Sequence, residues 1–446
     1  NRMKAKIVGL SMGLVLTAGL LAGCGSFGGM TSAASMDKPA EQAVEQAAAE
    51  EIVTAAVEEA VVEEAVEEAV IAEAAAEEAV EEAAAQAAAL EATAITAEAV
   101  TAEETSDLPE GQMYSYLTGE PISTEIGSKR PFAVMINNLD AAVPQSAIVN
   151  ADMLYECYVE GNITRLMAVF QDPTPYDKIG PVRSARHYYM DYAFDNSAIY
   201  THFGWSFVAE DRIKTQGWTT INGQFYDGVT GFYRTEDRVA PHNAYTTGQG
   251  LVDIANELGI DRSYPEGFKS NLAFNRTDTP LEGGEDALYV SVPYAIDNPW
   301  FEYNPADGLY YRFEYGAPHV DMETGEQLKF KNVIVQIVDQ SLYLEDPILL
   351  ELYLVGKGTG YYFTDGKVIP IVWEKESTND RTMYYTTDGQ QLKMNPGKTM
   401  FEVAPPEMNI TWSADQSGAE LADAAAAAAA VEEAQAVDAE VAGEQG

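Results

Sequence analysis

The stretch 153–171, MLYECYVEGNITRLMAVFQ, decides how the folded part of this chain begins. Two runs that alternate apolar with other side chains flank Gly161-Asn162, a pair typical of a tight β-hairpin turn. A two-residue turn pairs Tyr158 with Arg165, and strand alternation then places Cys157 on the apolar face, in the core. The polar face of this predicted hairpin carries Glu156, Tyr158, Glu160 and Arg165.

The segments around this hairpin predict a mixture of strands and helices. Upstream, residues 132–136 form a short apolar run typical of a buried strand. Downstream, Ser184 is expected to cap a helix over 184–195, and 198–205 is a strand candidate. Thr246 or Thr247 is expected to cap a second short helix. Together these elements predict that residues 108–265 form a mixed α/β domain.

The C-terminal part has the sequence pattern of strands joined by tight turns. Asp307-Gly308, Asp365-Gly366 and Asp388-Gly389 each separate aromatic or β-branched runs, which is a strong hairpin signal. We therefore expect a mostly antiparallel β domain over 285–412, so that the fold class of the whole is α+β.

The N-terminus has the pattern of a lipoprotein signal peptide. An uncharged run follows three basic residues and closes on Leu21, Ala22, Gly23 and Cys24. This pattern predicts a signal peptide over 1–23, diacylation of the Cys24 thiol and a lipid anchor on the extracytoplasmic face of the cell membrane. The alternative is a signal anchor with an incidental cysteine. Once Cys24 carries lipid, Cys157 has no partner for an internal disulfide.

The negative charge of the chain is concentrated in two low-complexity segments. The formal net charge is -45, and twenty acidic residues with one lysine lie between 31 and 105. We interpret 24–107 as an Ala/Glu-rich spacer, partly helical, with a coiled coil as the rival interpretation. The acidic tail 413–446 is expected to be disordered. Such an acidic chain is not expected to bind nucleic acid.

Several spaced motifs resemble the YerB-like lipoprotein family, whose extracytoplasmic part has two halves of unknown function. The run 179–186, Ile-Gly-Pro-Val-Arg-Ser-Ala-Arg, is the closest match. The other matching stretches are 130–138, 144–146, 151–152, 155–156, 160–161, 164–165, 238–243, 331–336, 358–363 and 397–399. The resemblance implies a bacterial lipoprotein with no established activity and no established catalytic residues. The spacer and tail depart from the family pattern.

The most suggestive polar constellation is basic. Six of the twelve arginines lie between 165 and 238, and Arg183 and Arg186 bracket the predicted helix cap Ser184. Cations at a helix N-terminus oppose its dipole, so anionic partners are expected there. One interpretation is a pocket for a phosphate or carboxylate ligand; the other is a structural network with Glu156 and Glu160. The candidate ligand-binding residues are Glu156, Glu160, Arg165, Arg183, Ser184, Arg186, His242 and Asn243.

No other motif predicts catalysis or a cofactor. The four histidines lack the spacing of a zinc motif, and no Gly-x-Ser-x-Gly turn is present. We expect no metal and no cofactor. The sequence favours a binding or scaffold lipoprotein that engages a protein partner or an anionic envelope ligand. The alternative is a cell-envelope hydrolase or transferase, which requires a carboxylate, arginines and a histidine in one cleft.

Overall fold

The structure is a computed structural model that describes residues 107–343 and 346–415. The predicted signal peptide, the predicted lipidation site Cys24, the spacer up to residue 106 and the tail from 416 lie outside the described residues. None of the helices in the described part is long and apolar enough to span a bilayer.

Strands dominate this part of the chain. Those of its first half are β1 (Gln112–Tyr114), β2 (Pro121–Ser123), β3 (Phe132–Asn137), β4 (Met153–Tyr158), β5 (Thr164–Phe170), β6 (Ile199–His202), β7 (Ile221–Asn222), β8 (Phe232–Arg234) and β9 (Ala244–Thr246). Those of its second half are β10 (Ala273–Phe274), β11 (Glu285–Asp286), β12 (Tyr289–Ser291), β13 (Trp300–Asn304), β14 (Leu309–Glu314), β15 (Ala317–Pro318), β16 (Lys329–Phe330), β17 (Asn332–Ile337), β18 (Gln340–Tyr343), β19 (Asp346–Leu352), β20 (Gly356–Thr364), β21 (Lys367–Lys375), β22 (Met383–Thr386), β23 (Lys393–Met394), β24 (Thr399–Ala404) and β25 (Thr411–Ser413).

One large sheet runs through both halves of the chain. Its order is β11-β21-β20-β17-β24-β4-β5-β3-β6-β7, with β22 beside β21. β24 from the second half lies parallel to β4 from the first, with Thr399 opposite Met153. The predicted domains 108–265 and 285–412 thus contribute strands to the same sheet. The boundaries at 265 and 285 stay predictions. A second, antiparallel sheet has the order β15-β14-β13-β12-β25, with β16 beside β14.

The predicted hairpin forms, but its register is shifted by one residue. Cys157, not Tyr158, lies opposite Arg165. The cause is a loop of three residues, Glu160–Asn162, in which Gly161 has a φ of 73°. One extra loop residue moves every side chain of β5 to the other face. Met167 and Val169 therefore share the face of Cys157, and Glu156 and Arg165 lie on opposite faces of the sheet.

The helices are α1 (Thr124–Gly127), α2 (His187–Asp195), α3 (Phe207–Gln216) and α4 (Gly248–Glu257). The prediction that Ser184 caps α2 is wrong: Arg186 is the N-cap, and it makes no side-chain capping bond. The Ser184 carbonyl instead accepts a hydrogen bond from Arg165. The prediction for α4 is confirmed, since the Thr247 hydroxyl accepts from the Gly250 amide.

The large sheet lies between two apolar layers. α2 and α3 cover one face, where Cys157 and Tyr189 are fully buried. α4 and the second sheet cover the other face, where Leu251 and Phe301 are fully buried. A sheet buried on both faces explains why polar side chains of its central strands must find partners within the protein.

Candidate functional site

The candidate site lies at the carboxyl edge of the large sheet. β3 and β4 each pair antiparallel with β5 and so run parallel to one another, as β3 and β6 do directly. All three therefore end at the same edge. In open sheets with parallel strands this edge is where ligands commonly bind. Arg165 is the second residue of β5 at this edge, and Glu160 follows β4.

The segment that carries Arg183 is fixed between two strand ends. The Arg183 amide donates to Met135 of β3 at 2.9 Å, and its carbonyl accepts from Phe203, just after β6, at 2.9 Å. This backbone path brings Arg183 and Arg186 to the edge where β5, the strand of Arg165, begins. We call Arg165, Arg183 and Arg186 the arginine cluster.

Arg186 forms an ion pair with one carboxylate, that of Glu160. Its Nε donates to Glu160 Oε1 at 2.7 Å and its second terminal nitrogen to Glu160 Oε2 at 2.5 Å. This two-bond geometry is the strongest arrangement for arginine and carboxylate. Burial opposes both charges, yet the pair raises the pKa of Arg186 and lowers that of Glu160. The expected contact between Arg186 and Glu160 is therefore present.

The other two arginines of the cluster have only neutral acceptors. Arg165 donates to the Ser184 carbonyl at 2.5 Å, and Arg183 donates to the Pro241 carbonyl at 3.2 Å. The Arg183 Nε has no hydrogen-bond partner. Burial, together with repulsion from Arg186 and Arg183, lowers the pKa of Arg165 to about 9. Within the described residues, Glu160 is the only carboxylate that forms an ion pair with this cluster.

His242 and Asn243 lie beside the cluster but do not form a catalytic pair. His242 Nδ1 is 2.8 Å from the Asn137 side-chain amide. Burial and the nearby charges of Arg183 and Arg238 lower the pKa of His242 and favour its neutral form. Asn243 bridges two neighbours, accepting from Arg234 and donating to the Thr235 carbonyl.

Glu156 does not belong to this site, contrary to the sequence-based expectation. The register of the hairpin turns it to the opposite face, where it is fully buried and forms an ion pair with Arg312. Glu402, its cross-strand neighbour on β24, is also fully buried. We call Glu156, Asp297, Glu314 and Glu402 the carboxylate cluster.

The carboxylate cluster surrounds one guanidinium in a closed interior. Arg312 donates to Glu314 at 2.8 Å and to Glu156, and its Nε is 3.8 Å from Glu402. Burial raises the pKa of Glu156 and of Glu402 to about 7. Burial and the neighbouring Glu156 raise the pKa of Asp297 to about 9. The single guanidinium of Arg312 offsets at most one carboxylate charge. Protons on the other carboxylates therefore take the place of further cations.

The alternating pattern of β14 in the sequence is a signal for the carboxylate cluster, which the sequence-based prediction did not include. In β14 every second residue is buried, and these are Tyr310, Arg312 and Glu314. An arginine and a glutamate on the inward face of a strand indicate a buried ion pair. Within residues 107–343 and 346–415, no group of three or more His, Cys, Asp or Glu side chains is arranged to hold a metal ion.

Comparison with known proteins places the chain among relatives of unknown function. Residues 117–261 match "Protein of unknown function (DUF3048) N-terminal domain" and 290–401 match the corresponding C-terminal domain. "Putative lipoprotein YerB" of Bacillus subtilis is 30% identical over 294 residues, covering 65% of this chain and 85% of that protein.

A solved structure agrees with the sequence comparison. The crystal structure of the YerB protein from Bacillus subtilis superposes with a TM-score of 0.59 at 28% identity, over 67% of this chain and 99% of that one. The resemblance predicted from the spaced motifs is confirmed. The chain belongs to the YerB-like family, whose N-terminal and C-terminal domains are of unknown function.

Proposed function

We propose that this protein is a lipid-anchored, extracytoplasmic binding protein that holds an anionic group at the arginine cluster. The observation that carries the proposal is a local excess of cationic charge. Three guanidiniums converge where one carboxylate, Glu160, forms an ion pair, in a chain of formal net charge -45. A bound phosphate or carboxylate supplies the missing negative charge.

Arg183 is the residue of the cluster that presents donors to a ligand. It is partly exposed, and its one side-chain bond goes to a backbone carbonyl, although its unpaired Nε is itself buried. Arg186 is held by Glu160 and serves to orient the loop after β4. Arg165, buried beneath them, raises the local potential. The cluster therefore combines a structural ion pair with an open anion-binding arginine.

The lipid anchor is supported by sequence and by the relative. Cys24 closes the signal-like segment, and the Bacillus subtilis relative carries the name lipoprotein. An anchor of this kind places the arginine cluster on the extracytoplasmic side, among the anionic components of the envelope. A binding function needs no catalytic group, in keeping with His242 being engaged by Asn137.

Two arginine variants separate the structural role from the binding role. Arg183→Ala should weaken binding of inorganic phosphate at least about tenfold with little change in thermal stability. Arg186→Ala should lower the free energy of unfolding by about 2 kcal/mol, because Glu160 is left partly buried without its partner. Phosphate binding is followed by 31P NMR line broadening, with acetate in a parallel series, and stability by urea unfolding.

Lys357→Ala is the matched control, since it also removes one positive charge, from an exposed ion pair with Glu374. It should leave both phosphate binding and stability unchanged. If Arg183→Ala binds phosphate and acetate as the parent does, the arginine cluster is not the ligand site.

A further inference from the structure

A cavity lies at the edge of the large sheet opposite the arginine cluster, where β3 and β6 begin. Its volume is about 410 Å³. It is bounded by the residues that precede these strands, by the C-terminal end of α2 and by the segment that follows α4. A cavity of this size holds one or two small rings.

Two guanidiniums converge on one residue in this cavity. Arg130 Nε donates to the Ser197 carbonyl at 2.7 Å, and a terminal nitrogen of Arg381 donates to the Ser197 hydroxyl at 3.0 Å. Ser197 has a φ of 51°, a left-handed conformation that a residue with a Cβ seldom adopts. The backbone is thus held in an uncommon conformation where the two arginines meet.

Neither guanidinium hydrogen-bonds to a carboxylate in the described residues, although the charge of Asp261 acts on Arg130 and that of Asp195 on Arg381. Their remaining hydrogen bonds go to the backbone carbonyls of Asp261 and Asp195, each at 3.0 Å. Across the described ranges, neither Arg130 nor Arg381 forms an ion pair, and the carboxylate of Asp195 is bound by Lys375 instead. One terminal nitrogen of each arginine has no protein acceptor in the described ranges. The two arginines together offer a site for an oxyanion.

The cavity also has an aromatic wall and a polar rim. The rings of Phe194 and Trp218 are 6.1 Å apart, and the Arg381 guanidinium lies 5.3 Å from the Phe194 ring. Thr219 and Asp261, both exposed, add a hydroxyl and a carboxylate at the cavity. Aromatic faces suit the apolar side of a ring, and polar rim groups suit its hydroxyls.

We infer that this cavity binds a sugar that carries a carboxylate. Arg130 and Arg381 hold the carboxylate, Phe194 and Trp218 pack against the sugar ring, and the rim groups bind its hydroxyls. This site is separate from the arginine cluster, because the two lie at the start and at the end of the same parallel strands.

The test is calorimetric titration of the full chain with glucuronate, and with glucose, acetate and benzoate in parallel. Glucuronate should bind at least about tenfold more tightly than glucose, which lacks the carboxylate, and than acetate, which lacks the sugar ring. Trp218→Ala and Arg381→Gln should each weaken glucuronate binding by at least about tenfold. Binding should also change the fluorescence of Trp218, a signal that the Trp218→Ala variant loses.

Lys357→Ala is the control: it removes one positive charge from an exposed ion pair with Glu374 and should bind glucuronate as the parent does. Should Arg381→Gln fail to fold, Trp218→Ala alone decides, because that side chain is partly exposed and carries no structural ion pair. The inference is overturned if the parent shows no binding of glucuronate at concentrations up to about 10 mM. Cavities of this kind bind their ligands with dissociation constants below that concentration. Tighter binding of benzoate, or binding that Trp218→Ala leaves unchanged, also overturns it.

Discussion

Replacing Arg312 with methionine should lower the free energy of unfolding by about 3–5 kcal/mol. Arg312 is fully buried and is the partner of Glu156 and Glu314, which are themselves buried. Its removal leaves these carboxylates without a cation in an interior that water does not reach. They must then take up protons or unfold the contact between the two sheets.

Urea unfolding of the parent and of Arg312→Met measures this loss. Lys214→Met is the control, because it breaks an exposed ion pair with Glu210 on α3. Such a pair contributes at most about 0.5 kcal/mol. A loss below about 1 kcal/mol in Arg312→Met would show that the carboxylate cluster does not depend on this arginine.

The stability of the protein, measured by urea unfolding, should fall by about 3–4 kcal/mol between pH 6.5 and 8.5. The pKa of Asp297 is raised to about 9, and those of Glu156 and Glu402 to about 7. The folded state therefore holds protons that the unfolded chain, with carboxyl pKa values near 4, has already released. Each such proton makes stability decrease as pH rises, until the pH passes the folded-state pKa.

The chosen window leaves only a small part of the histidine titration in the measurement. Burial lowers the pKa of His202 to about 4 and that of His319 in the same direction, so both are neutral in the folded state. Their effect runs in the opposite sense, with stability lost as pH falls through the unfolded value near 6.5. Above pH 6.5 the carboxylate cluster therefore determines the slope.

Asp297→Asn isolates the group with the largest shift. The amide keeps an oxygen for Asn138 and Thr164, which bind Asp297 Oδ2, and it cannot ionise. The variant should lose less than about 1 kcal/mol over the same window and be more stable than the parent at pH 8.5. Equal slopes in parent and variant would show that Asp297 does not carry the proton.

The local elements of the fold were predictable because their signals lie within short stretches. The turns at Asp307-Gly308 and Asp365-Gly366 join β13 to β14 and β20 to β21 as predicted. The burial of Cys157 and the cap of α4 at Thr247 are also confirmed. Each depends on alternation, turn chemistry or a capping side chain, and none depends on a distant segment.

The arrangement of the polar side chains was not predictable to the same degree. The pattern around Gly161-Asn162 suits a turn of two or of three residues, and this choice decides which face Glu156 occupies. The carboxylate cluster joins Glu156 to Arg312 and Glu402, which reach it only through the pairing of β4 with β24 and the packing of the second sheet. Of the predicted site, Arg186 and Glu160 form their ion pair, while Glu156 is separated from them.

The most direct test of anion binding at the arginine cluster is a crystal structure of the protein soaked in selenate, whose selenium is located by anomalous scattering. A tetrahedral oxyanion of this kind has the shape and charge of phosphate. We expect a selenium peak within hydrogen-bond reach of Arg183, beside Arg165, with the Arg186–Glu160 pair unchanged. Selenate bound at other sites while the arginine cluster stays free of it would contradict anion binding at this cluster.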